Sequence, residues 1–127
     1  MAHCRVLFVG TINNLDQIYA NCSDSSSESK AELAFGYDYL KEYPKKVLLG
    51  ELNNNSSISY NPNDYEFTKK DLELYDKYII KRQYYDCFDI RDNTPNHYIN
   101  ALNKADIDVF FSTLPDDTHF FLCDGHL

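Results

Sequence analysis

Four consecutive apolar residues, Val6-Leu7-Phe8-Val9, run without a polar interruption and stop at Gly10. A strand with one face in water alternates apolar and polar side chains, so an unbroken run predicts a strand covered on both faces. Arg5 to Val9 is therefore expected near the middle of a sheet. The rest of the chain has to supply its neighbours and its covering layers.

Asn13 and Asn14 are placed to cap a short helix through Ile18 and Tyr19. The polar stretch Ser23-Asp24-Ser25-Ser26-Ser27 then reads as a loop. Ser29-Lys30-Ala31-Glu32 has capping-box spacing, in which hydroxyl and carboxylate each satisfy a backbone donor, and Leu33, Tyr37 and Leu40 recur on one face. That predicts a helix ending before Pro44, with Gly36 inside it at a cost of about 1 kcal/mol relative to alanine. Thr68 to Asp71 is another cap-like start, and Leu72, Tyr75 and Ile79 predict a helix to about Arg82. At Thr94-Pro95 an N-cap is followed by proline where its missing N–H costs nothing, and Tyr98, Leu102 and Ala105 form the apolar face of a third.

Strands are expected at Lys46 to Leu52, with Ser57 to Tyr60 returning as a hairpin before Asn61-Pro62-Asn63-Asp64 breaks the pairing. Two aromatic-rich strands, Ile107 to Leu114 and Thr118 to Cys123, flank the turn residues Pro115-Asp116-Asp117. From Gln83 to Ile90 the pattern fits strand or helix, with strand favoured by the alternation of Tyr84, Asp86, Phe88 and Ile90. The order predicts an α+β fold: a single mixed β-sheet of about four to five strands with two to three helices packed on it. The first strand, first helices and second strand are expected to form a right-handed parallel crossover. With 127 residues, the chain is read as one domain spanning 1–127.

Composition narrows the function. Twelve Lys and Arg against 20 Asp and Glu give a formal charge of −8, which repels phosphate backbones and anionic lipid. From Gln83 to Leu127 eight acids face only Arg91 and Lys104. No apolar run nears the roughly 20 residues of a membrane helix, and the N-terminal run is shorter than a signal-peptide core. Cys4, Cys22, Cys87 and Cys123 lack the close spacings of a disulfide scaffold, so reduced thiols and a cytoplasmic location are expected.

Asp86, Asp89 and Asp92, interleaved with Tyr84, Tyr85 and Tyr98, form the pattern weighed most heavily. Carboxylates steer a basic partner, and tyrosines supply rigid contact area with a polar tip. On a helix the three acids would share a face; on a strand Asp86 would oppose Asp89. Asp106, Asp108, Asp116 and Asp117 are expected to extend the patch from the neighbouring hairpin. In composition, the chain resembles the small acidic immunity proteins and phage-encoded inhibitors that occlude a basic, nucleic-acid-handling enzyme. That likeness implies a non-enzymatic binder of a basic protein, such as a nuclease or other nucleic-acid enzyme, with no cofactor.

The alternative is a nucleotide-like ligand binder or hydrolase at the carboxyl end of the first strand, using Gly10, Thr11, His97 and His119. There, backbone N–H groups can meet an anion, although a glycine closing a strand is ordinarily just a turn. His97, Asp116, His119, Asp124 and His126 are of the types used in acid–base chemistry, but no nucleophile with a matched oxyanion donor stands out, and Cys22 and Cys87 lack electropositive neighbours. His3, Cys4, Cys123 and His126 would supply zinc-type ligands only if the first and last strands paired antiparallel and brought all four together.

Overall fold

The computed structural model describes residues 3–22, 27–44, 61–71, 86–100 and 112–126. Strand β1, His3–Val9, occupies the middle of one mixed sheet in the order β2-β6-β1-β4-β5. Here β2 is Tyr39–Glu42, β4 Asp86–Asp89, β5 Asn96–Asn100 and β6 His119–His126. A two-residue strand, β3 (Phe67–Thr68), pairs with the start of β6, beyond where β2 pairs with its end. Two α-helices, α1 (Ile12–Ala20) and α2 (Ser27–Phe35), and two 3₁₀ turns, Pro62–Asp64 and Lys69–Asp71, complete the described elements. The α+β architecture read from the sequence is thus the one observed.

Both faces of β1 are covered, as its unbroken apolar run requires: Val6, Phe8 and Val9 are fully buried and Leu7 nearly so. Alternation places Val6 and Phe8 on one face together with their register partners Cys123 and Phe121 of β6 and Phe88 of β4. On that face Ile12, Leu15 and Ile18 of α1, Phe35 of α2 and Tyr37 close the core. The Phe8 ring lies 5.1 Å from Phe121, 5.8 Å from Phe88 and 5.1 Å edge-on from Phe35. Removing it in Phe8→Ala costs about 3–5 kcal/mol.

Helix α1 starts two residues earlier than Asn13 and Asn14 suggest. Thr11 is the N-cap: its hydroxyl accepts from Asn14 N–H, and Asn14 Oδ1 accepts from Thr11 N–H at 2.8 Å. Asparagine thus takes the returning role that glutamate usually fills in a capping box. Helix α2 is shorter than expected. Gly36, at φ +81°, ends it with its N–H on Glu32 O at 2.9 Å, the left-handed stop that glycine favours. Beyond it Tyr37 turns into the core and Leu40 belongs to β2, while Leu33 is 64% exposed instead of lining a helical face.

The helix expected after Thr94-Pro95 is a strand. An Asp92-centred turn reverses the chain after β4, and β5 pairs antiparallel with β4. Proline's fixed φ suits an extended start as well as a helical one. A bulge between Cys87 and Phe88 sets Cys87 opposite Ile99 and Phe88 opposite His97, which makes Tyr98 the extra residue. The 83–90 ambiguity resolves to strand from Asp86 onward.

The parallel neighbour of β1 is β4. Its expected partner at 46–52, the hairpin return at 57–60 and the helix beyond Asp71 fall outside the described residues, as do 107–111. Lys69–Asp71 is a single 3₁₀ turn. Pro115-Asp116-Asp117 does form a turn, closed by Thr118 N–H on Pro115 O at 3.1 Å, but Ser112 to Leu114 before it are not extended.

Candidate functional site

Because β4 runs parallel to β1 and β6 antiparallel, the ends of β1 and β4 and the start of β6 lie at one edge of the sheet. Gly10 N–H donates to His119 O at 2.7 Å, and Ile90 N–H donates to Val9 O at 3.0 Å, so the three chains are tied together there. Gly10 has φ +145°, and a Cβ at this position would come within 2.8 Å of Ile90 Cγ1 and 3.0 Å of Asn14 Oδ1. Only glycine admits this approach of the β1 end to the start of α1 and the 90–91 backbone.

Glu66 enters this edge from the residue before β3. Its carboxylate accepts Ile12 N–H at Oε2, 3.0 Å, in the first turn of α1, and meets His119 Nδ1 at Oε1, 2.8 Å. The Glu66 side chain is 8% exposed and that of His119 41% exposed. A carboxylate that accepts on both oxygens fixes the proton of a neutral imidazole on Nδ1, leaving Nε2 as an acceptor. Among the described residues Nε2 has no partner.

The same contacts decide the anion-cradle reading of Gly10 and Thr11. The N–H groups of Gly10, Thr11, Ile12 and Asn14 go to His119 O, Asn14 Oδ1, Glu66 Oε2 and Thr11 Oγ1. Glu66 is itself the anion at this helix start. Gly10 and Thr11 therefore have no free backbone donor to offer a phosphate. His97 stands opposite Phe88 in β5, not beside β1, so the four residues of that candidate site share a sheet without forming one cluster.

The acidic series is divided by strand alternation. Asp86 follows the face of Val6 and Phe88 inward, is 7% exposed, and accepts the Tyr37 hydroxyl at 2.9 Å. It is a core group and not a steering charge. Asp89 takes the opposite face and is paired with Arg91, whose Nη2 lies 2.8 Å and Nε 3.0 Å from its two oxygens. Asp92 is exposed and organises the 91–96 turn: it accepts from Thr94 N–H at 3.1 Å and from Asn96 Nδ2 at 3.0 Å. Hydrogen bonds from Thr94 and Asn96 hold its carboxyl below the usual aspartate value. Tyr98 occupies the β5 bulge. Tyr84, Tyr85, Asp106 and Asp108 lie outside the described residues.

The first and last strands do pair antiparallel, with His3 opposite His126 and Val6 opposite Cys123. Yet Cys4 and Cys123 occupy positions of one parity and His3 and His126 of the other, so the four positions do not share a face of the sheet. His126 Nδ1 lies 3.0 Å from Asp38 Oδ2, and its ring stacks on Tyr39 at 5.7 Å. Among the described residues no three His, Cys, Asp or Glu side chains gather as metal ligands. Burial pushes the Cys87 thiol up to about 12 and that of Cys123 well above its ordinary value.

Glu66 escapes a sequence reading. It sits between two aromatic residues after a polar turn, 53 residues from the histidine it contacts, and no motif links the two. Compared with protein families, curated proteins and solved structures, the chain matches none. Among the described residues no helix is long and apolar enough to cross a membrane.

Proposed function

We propose that the protein is a recognition module that meets a basic protein through the edge where β1 and β4 end and β6 begins. The observation that carries this reading is the gathering of acceptors there from separate loops. Asp92 stands exposed after β4, Asp116 and Asp117 stand exposed before β6, and the His119 side chain, 41% exposed, opens β6. Asp116 and Asp117 engage no partner among the described residues.

An edge rich in acceptors, on a chain of net charge −8, favours a partner that brings lysine and arginine donors, as nucleases and other nucleic-acid enzymes do. Free thiols at Cys4, Cys22, Cys87 and Cys123 support a reducing, cytoplasmic setting. Of the acids expected to steer, Asp86 and Asp89 are engaged by Tyr37 and Arg91, and this reading keeps Asp92, Asp116 and Asp117.

The test is kinetic. A basic partner captured from the native cell, or an arginine-rich peptide as a defined probe, is titrated at low and at moderate salt. Association with the native chain slows steeply as salt rises, because exposed charges act over a Debye length of about 8 Å at physiological ionic strength. The double variant Asp92→Lys, Asp117→Lys associates at least tenfold more slowly. An unchanged rate in a folded double variant removes the edge from consideration.

A further inference from the structure

We infer that His119 is an acid–base centre, with Glu66 as its positioning residue, able to hydrolyse an uncharged or cationic ester presented at the same edge. This goes beyond partner binding, and nothing in it requires a protein partner. Three constraints hold the imidazole. Its backbone oxygen is anchored by Gly10 N–H and its backbone is paired with Thr68. Its Nδ1 is held by a carboxylate, and that carboxylate is buried and pinned at its second oxygen by the first turn of α1. A carboxylate on Nδ1 fixes the tautomer and ring orientation that a general-base histidine needs.

The edge also selects the substrate. Phosphate esters find the N–H groups of Gly10, Thr11, Ile12 and Asn14 already taken, and Asp92, Asp116 and Asp117 repel anions. A carbonyl ester without negative charge meets neither obstacle. In the step proposed, a water O–H proton passes to Nε2 as the water oxygen bonds to the ester carbonyl carbon. The carbon–alkoxy bond then breaks, and the departing alkoxide takes the proton from Nε2. The products are one carboxylic acid and one alcohol, and the imidazole returns to its starting state.

The experiment uses the full chain with 4-nitrophenyl acetate between pH 5 and 9. The expected result is hydrolysis above buffer that rises with pH and falls at least tenfold in His119→Gln. Glu66→Gln lowers the rate and shifts that pH profile, a change that a merely structural role would not produce. Acylation by diethyl pyrocarbonate, located by mass spectrometry, gives a second readout should Glu66→Gln not fold: His119 is modified in the native chain at Nε2. Glu66→Gln, a change at a buried side chain, leaves partner association at the native rate while its esterase rate falls, which separates this inference from the binding proposal. Equal rates for the native chain and His119→Gln, or no native rate above buffer, overturn it.

Discussion

Tyr37 donates its hydroxyl to Asp86 Oδ2 at 2.9 Å, a buried phenol meeting a buried carboxylate across the helix-covered face of the sheet. Tyr37 lies just past the glycine that ends α2, and Asp86 opens β4, so the bond ties the helical layer to the parallel pair β1 and β4. A hydrogen bond to a charged group contributes about 1.5–3 kcal/mol, and most of its loss appears as the desolvation cost of the acceptor left behind. Tyr37→Phe, which keeps the ring, is expected to lower unfolding free energy in urea by that amount. A change below about 0.5 kcal/mol shows that the tyrosine donor is dispensable to Asp86.

Two glycines with positive φ make opposite predictions about crowding. Gly10→Ala strains the backbone and drives a methyl group into Ile90 and the Asn14 cap, whereas at Gly36 an added Cβ meets nothing within 4 Å. Gly36→Ala should therefore cost only the left-handed conformation, about 1 kcal/mol, and Gly10→Ala about 2–4 kcal/mol. Thermal unfolding of the two variants side by side checks the order. Equal losses refute the close packing of the β1 end against α1.

Thiol chemistry tests the burial pattern. Cys87 and Cys123 are buried with their thiols pushed up, Cys4 is half-buried with its thiol raised by burial and by Asp124, and Cys22 sits at the end of α1. Since the thiolate is the reacting species, iodoacetamide at pH 8 should label Cys22 first and leave Cys87 and Cys123 untouched until denaturant is added. Peptide mapping reads this directly. Rapid native labelling of Cys123 contradicts its place in the core.

The fold was legible wherever one period dominated. The run from Val6 to Val9 and the aromatic segment from Phe120 to Cys123 have only one way to hide their side chains, and both are central strands. Legibility failed where local signals fit two structures. Thr94-Pro95 serves a helix start or a turn into β5, and the choice was made by Asp92 and the β4 ladder. Gly36 reads as a tolerable flaw in a long helix until its φ of +81° shows it to be the stop. The candidate site was half visible: His119 carries its chemistry in its name, but Glu66 becomes its partner only through the β3 pairing that sets the two side by side.

Glu42, the register partner of Cys123 on the helix-covered side, supplies a prediction about pH. Burial, with a smaller push from the Asp16 carboxylate, raises its carboxyl above the usual value. A carboxyl whose folded value exceeds its unfolded one disfavours folding in its ionised form. No penalty exists below the unfolded value of about 4.3; it grows as pH rises from there through the folded value and is complete above it. Glu42→Gln should therefore raise the unfolding temperature at pH 7 and leave it nearly unchanged at pH 4. Relief of general repulsion in an acidic chain would produce the same sign, so Glu32→Gln on the exposed side of α2 serves as the control that removes one charge without removing a buried one. If the control gains as much as Glu42→Gln at pH 7, net charge and not burial is the cause.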